Sequence, residues 1–116
     1  MISTPRMIRL ALTLLLGASF AACGGDDSSG PGNGTTAVNV GDDFFDPSSR
    51  TVSAGTTVQW TWIGANEHNV TFDDGVGNSV TQTSGTHSRL LNQTGTFTYI
   101  CTIHGRAVMS GEIVVQ

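Results

Sequence analysis

Polar and apolar side chains alternate along Thr56-Thr57-Val58-Gln59-Trp60-Thr61-Trp62, which puts Val58, Trp60 and Trp62 on one side of an extended segment. Gly95-Thr96-Phe97-Thr98-Tyr99-Ile100-Cys101 repeats the pattern and gathers Phe97, Tyr99 and Cys101 on one face. Cys101 is therefore expected to point inward from the end of a core strand. Further strands are predicted over residues 37–40, 50–53, 69–72, 87–91 and 111–115, with turn residues such as Asp73-Asp74-Gly75 between them. No helical period and no internal repeat stand out. Short strands with turns at close intervals predict one all-β domain, a small antiparallel sandwich.

The N-terminus breaks from this pattern. Arg6 and Arg9 precede an apolar run of 13 residues, 10–22, which falls short of the roughly 20 needed to cross a bilayer but suits a signal peptide. The run closes on Phe20-Ala21-Ala22-Cys23, which resembles the lipobox of bacterial lipoproteins, with Phe20 where leucine is usual. That resemblance implies a lipidated Cys23 and an exported chain anchored to a cell membrane, facing the periplasm or the cell exterior. The alternative is an ordinary cleaved signal peptide with an incidental cysteine. Residues 24–36 are mostly Gly, Ser, Asp, Asn and Pro, too polar to offset chain entropy by burial, and read as a tether. Met7 and Ile8 separate Arg6 from Arg9, so no twin-arginine pair is present and export before cofactor loading is expected. The expected organisation is a signal peptide over 1–22, a lipidated cysteine and linker over 23–36, and one folded domain over 37–116.

Charge narrows the partners. The chain has five arginines, no lysine and nine acids, for a net charge of −4. Without the signal segment three arginines face nine acids, a net charge of −6. That balance argues against nucleic acid, which needs clustered Lys or Arg, and suits a basic partner. Cysteine usage adds a constraint. If Cys23 carries lipid, Cys101 is left unpaired in an oxidising compartment, where a lone thiol is a liability. A Cys23–Cys101 disulfide is the alternative, and a partner on a flexible tether disfavours it.

Four residues then carry candidate chemistry: His68, and the run Cys101-x2-His104-x4-Met109. Singly each has a bland reading, as a surface histidine, a core methionine or a buried thiol. Together they form a soft, mixed S/N/S set that satisfies copper in both oxidation states; a trigonal His₂Cys site with a weak axial Met is associated with electron transfer. Cys101 ends a strand, the chain turns through His104, and Met109 begins the return before Gly111. One hairpin loop can thus bring three donors to one point, with His68 closing the site from another junction. Zinc also accepts His₂Cys, but a thioether is a poor zinc ligand.

The chain resembles the cupredoxin family, its plastocyanin-like members in particular. The shared stretches are Phe45-x-Pro47, Val52-x-Ala54-Gly55-Thr56-Thr57-Val58-x-Trp60, Glu67-His68-Asn69-Val70-Thr71-Phe72 and Gly95-x-Phe97-x-Tyr99-x-Cys101-Thr102-x-His104. The resemblance implies a Greek-key sandwich and one type 1 copper held by His68, Cys101, His104 and Met109. It further implies that Asn69 ties the two ligand loops together by hydrogen bonds, and that a monomer exchanges electrons through the His104 ring edge with cytochrome-type or copper-type redox proteins. Two departures stand out. Ile100 occupies the place of an exposed aromatic that plastocyanins of photosynthetic eukaryotes carry, and Arg106 puts a cation in a loop that usually offers an apolar face. Arg106 reads as a solvated residue, or as one that meets an acidic patch on the partner.

Three rival readings stay open. A copper oxidase or reductase needs further histidines, and only His87 is left, expected as an exposed polar residue on a strand. A copper storage or delivery protein would use the same ligands. A metal-free immunoglobulin-like binding module would explain the strands and leave the Cys-His-Met spacing to coincidence.

Overall fold

The computed structural model describes residues 34–116; the expected signal segment and the expected lipidation site at Cys23 lie outside the described residues. Eight strands follow in order: β1 Thr35–Gly41, β2 Phe44–Asp46, β3 Ser49–Val52, β4 Thr56–Trp62, β5 Thr71–Phe72, β6 Thr86–Leu91, β7 Gly95–Ile100 and β8 Ser110–Val115. They form two four-stranded sheets, ordered β2-β1-β4-β6 and β3-β8-β7-β5. This is the expected all-β sandwich. Antiparallel pairing holds for β1–β2, β4–β6, β5–β7 and β7–β8, while β1–β4 and β3–β8 run parallel. Alternation within one strand cannot reveal the direction of its neighbour, so the parallel pairs were not foreseen.

β4 shows why the sandwich closes. Thr56, Val58, Trp60 and Trp62 are all buried and their neighbours half-buried, so one face of the strand is core. Val38 and Val40 from β1, Phe45, Phe72, Tyr99, Ile113 and Val115 fill the space between the sheets. The Trp60 ring meets Phe72 and Tyr99 edge-on, with centroids 5.4 Å away in each case. Such contacts add about 0.5–1.5 kcal/mol apiece beyond area burial.

Three departures from expectation exceed a shift of one residue. β1 starts at Thr35, inside the expected linker, because Thr35 and Thr36 pair in register with Thr57 and Val58. β2 was not expected; it is a three-residue strand directly after an Asp-Asp turn. The strand expected over 69–72 shortens to Thr71–Phe72, because the Val70 amide donates to Ser79 Oγ at 2.8 Å instead of to a strand.

His87 also departs from its expected exposure. It stands opposite Trp60 in the β4–β6 register, and cross-strand partners share a face. Its ring is therefore half-buried against Trp60, at 6.2 Å between centroids, with Nε2 2.7 Å from the Gly77 carbonyl. Arg89 lies on the same inward face. It covers the rings of Phe72 and Phe97 at 4.3 and 5.1 Å and pairs with Asp74 at 2.7 Å. Inward-facing polar groups on an edge strand also discourage pairing with another chain.

Candidate metal centre

The β1–β2 turn, the β4–β5 connection and the β7–β8 loop meet at one end of the sandwich. The β7–β8 loop is built as a short hairpin extension. The Cys101 amide donates to the Met109 carbonyl at 3.1 Å, so the ladder continues one rung past the strands and sets these residues opposite each other. Between them the Gly105 amide donates to the Cys101 carbonyl and the Met109 amide to the Gly105 carbonyl, both at 2.9 Å. Gly105 turns at φ 78°, a left-handed conformation that a side chain would strain. The two tight turns leave His104 beside Cys101, and both Cys101 and Met109 are fully buried.

His68 is positioned differently. Its backbone pairs with Gln82 in both directions, at 3.1 and 3.0 Å, and its carbonyl accepts the Trp62 indole N–H at 3.2 Å. The ring is fully buried. Next to it, the Asn69 side chain makes four hydrogen bonds: it donates to Thr81 Oγ1 at 3.1 Å and Thr102 Oγ1 at 2.8 Å, and accepts from the Thr71 hydroxyl at 2.9 Å and the Thr102 amide at 3.0 Å. One side chain thus joins the His68 segment to the loop that carries Cys101 and His104.

Both imidazoles turn Nδ1 toward the thiol. Cys101 Sγ lies 3.9 Å from His68 Nδ1 and 3.6 Å from His104 Nδ1, and the three donor atoms all fall within 4.8 Å of one another. Metal–nitrogen bonds of about 2.0 Å and a metal–sulfur bond of about 2.3 Å, meeting at a trigonal angle, separate N from S by about 3.7 Å. The observed spacings bracket that value. The donors therefore fit one ion without rearrangement, and imidazole, thiolate and thioether together are the set that suits copper.

The outer nitrogens are engaged as well. His68 Nε2 is 3.0 Å from Asp42 Oδ1, and His104 Nε2 is 2.9 Å from Asp43 Oδ1. The hydrogen bond with His68, then the amides of Asn66 and Ala65, hold the Asp42 carboxyl down at about 2. The His104 side chain is 27% exposed, and its outer edge meets Asp43 before it meets solvent. Arg106, expected as a solvated residue or as one that meets an acidic patch on a partner, is exposed and paired within the chain, with Nη2 2.5 Å from Asp73 Oδ1. Arg106, and after it the Thr98 hydroxyl, lower the Asp73 carboxyl below the usual carboxylate range.

The structure brings His68, Cys101 and His104 together as one donor cluster, with Asn69 bonded across the two segments that carry them and Met109 buried on the same loop, its backbone paired with Cys101. His87 lies apart from them in β6. Sequence reasoning did not find Asp42, Asp43, Gln82, Thr81 or Thr102. Nothing in the spacing of Asp42 and Asp43 linked them to either histidine.

A two-sheet sandwich closing over a His₂Cys cluster, with a methionine buried on the same loop, defines the class of single-copper proteins with a type 1 site. Comparison with known proteins agrees. This chain belongs to the plastocyanin/azurin family of copper binding proteins, whose sequence model matches residues 33–116. It is 34% identical to amicyanin-alpha of Methylorubrum extorquens over 89 residues, covering 72% of this chain and 73% of that protein. It is 32% identical to plastocyanin of Dryopteris crassirhizoma over 100 residues, covering 68% of this chain and 98% of the fern protein. The solved structure of oxidised plastocyanin from the same fern superposes with a TM-score of 0.64 at 28% identity, over 70% of this chain and all of the other. Copper is thus the cofactor that both the family and the donor set call for.

Proposed function

We propose that this protein is an exported, lipid-anchored carrier of single electrons, with His68, Cys101, His104 and Met109 holding one type 1 copper. The observation that carries the reading is the convergence of Cys101 Sγ and two Nδ1 atoms, at 3.9 and 3.6 Å, from two separate segments of a stiff sandwich. The bound metal supplies a one-electron couple, reduced by one redox protein and reoxidised by another, with no bond made or broken in a substrate. The chain's own contribution is to keep the donors still. The Cys101–Met109 rung, the His68–Gln82 pair and the Asn69 cross-link hold them from three directions, so little rearrangement accompanies a change of charge.

His104 is the candidate exit for the electron, being the half-exposed imidazole. Ile103 and Val108, 51% and 59% exposed, stand on the same loop and offer apolar surface to a transient partner. The third histidine supports a carrier over an enzyme, since His87 is occupied by the Gly77 carbonyl at 2.7 Å and is not part of the donor cluster. The lipobox-like Phe20-Ala21-Ala22-Cys23 and the polar residues after it support a tether from a lipid on Cys23.

Optical and EPR spectra of the copper-loaded protein test the core of this proposal. An intense absorption toward the red end of the visible spectrum is expected, lost in Cys101→Ser. The substitution also removes the stabilisation by bound copper, about 4 kcal/mol at a thousandfold excess over Kd, and lowers Tm. A blue band that survives the substitution sinks the ligand assignment. Redox cycling with a cytochrome, against metal transfer to an apo-acceptor, separates a carrier from a delivery protein. Cys23→Ser is expected to release the protein from the membrane fraction.

A further inference from the structure

Asp42 and Asp43 are the only residues between β1 and β2, which pair from Gly41 to Phe44. Asp43 has φ 70°, the left-handed region where glycine or asparagine is the usual occupant of a tight turn. A chain that puts aspartate at such a position accepts backbone strain, and strained positions with a defined contact point to function. The contact here is Asp43 Oδ1 on His104 Nε2 at 2.9 Å, while the preceding Asp42 puts Oδ1 on His68 Nε2 at 3.0 Å. Two consecutive carboxylates of one turn thus grip the outer nitrogens of both imidazoles that face Cys101.

The two grips differ in how they are built. Asp42 also accepts the amides of Ala65 at 3.1 Å and Asn66 at 3.0 Å, so it organises the approach to His68. A Cβ at Gly64 would lie 2.4 Å from its Oδ1 and 2.8 Å from its backbone nitrogen, so that approach depends on glycine. Asp43 is 60% exposed and among the described residues shows one side-chain contact, the one to His104.

We infer that Asp42 and Asp43 are positioning residues of the copper centre, which fix the ring orientation and tautomer of both histidines and set the reduction potential low. The inference rests on copper lying at the Nδ1 side of both rings, as proposed. A carboxylate that accepts the outer N–H of a ligating imidazole strengthens the imidazole as a donor, and its negative charge favours the more positive, oxidised state of the centre. Neutralising either carboxylate must therefore favour reduction.

Redox titration of the copper-loaded full chain, followed at the blue band, tests this with Asp43→Gly, Asp43→Asn, Asp42→Asn and the control Glu67→Gln. Glu67 is exposed and adjacent to His68, so its variant removes the same charge without a bond to either ring. Each Asp43 variant is expected to raise the reduced-to-oxidised ratio at fixed potential about tenfold, ~59 mV for one electron, and Glu67→Gln by much less. Copper-free Asp43→Gly is expected to melt at or above the parent, because glycine relieves the turn. An Asp43 variant that keeps its fold but loses the blue band also supports a positioning role. Asp43 variants that are blue and shift no more than Glu67→Gln overturn the inference, even where Asp42→Asn fails to fold. A parent chain with no blue band overturns the copper reading instead, which keeps the two failures apart.

Discussion

The two histidines of the centre sit on foundations of different kinds. His68 is fully buried, with its backbone paired to Gln82, its carbonyl bonded to Trp62 and its neighbour Asn69 bonded to three other residues. His104 is half-exposed on a loop held by two tight turns, one rung between Cys101 and Met109, and a surface ion pair from Arg106. The buried half is part of the fold. The loop half is added to it through Cys101 and Met109, which reach the core, and carries its histidine toward the surface. A carrier gains from this division, since one side fixes the metal position and the other presents it to partners.

The largest expected break in that contrast comes from truncating each ring. His68→Ala removes a fully buried side chain and takes from Asp42 its side-chain partner, leaving it the Ala65 and Asn66 amides, so the copper-free protein is expected to lose about 2–4 kcal/mol. His104→Ala is expected to cost about 1 kcal/mol or less without copper, because the side chain is partly solvated and the loop turns are backbone-held. Both variants are expected to abolish the blue band. Urea midpoints of the copper-free proteins check the asymmetry, and equal losses would dissolve it.

Next in size is the link between the halves. Asn69→Ala removes four hydrogen bonds at a site 5% exposed, two of them to Thr102 beside Cys101. About 2–3 kcal/mol of stability and 10–100-fold in copper affinity are expected to go with it. Competition with a copper chelator measures the second quantity. Asn69→Ser, which restores part of the bonding, is expected to recover part of both.

How far the centre could be read in advance follows the same division. The loop half is local: Cys101, His104 and Met109 fall within nine residues, and the alternation of Phe97, Tyr99 and Cys101 already aims the thiol inward. β4 was legible for the same reason, its buried face being written at every second residue from Thr56 to Trp62. The foundation of His68 is non-local. Asp42 lies 26 residues away, and Gln82 joins through an isolated bridge that leaves no period in the sequence. β2 has only three residues, too few for alternation to show, and the two carboxylates before it resemble any polar turn. His87 looked solvent-facing because its flanking Thr86 and Ser88 are polar, but its facing is set by the register opposite Trp60.

The smallest effect concerns the turn after β5, where adjacent carboxylates again serve two regions. Asp73 holds Arg106 of the ligand loop, and Asp74 holds Arg89 of β6 at 2.7 Å. The partner guanidinium, Arg106 or Arg89, is the main cause that lowers each carboxyl below its usual value of 3.8. A carboxyl lowered on folding stabilises the native state above its unfolded pKa, and that contribution is lost as pH falls through the lower folded value. Melting temperatures of the copper-free protein should therefore drop as pH is taken from about 5 toward 2, and each Asn variant should drop less steeply. Asp74→Asn is expected to have the larger influence, because the Arg89 side chain is 10% exposed and lies over two aromatic rings, whereas Arg106 is 58% exposed and its pair is screened by water. Parallel pH profiles for Asp73→Asn and the parent would show that the Arg106 pair does not clasp the ligand loop, leaving its hold to the Gly105 turns, the Cys101–Met109 rung, the Asn69 bonds to Thr102 and the Asp43–His104 contact. A profile flattened as much by Asp73→Asn as by Asp74→Asn would mean that the loop is bound to the fold as firmly as β6, and the contrast between a built-in and an added half would then stop at His104 itself.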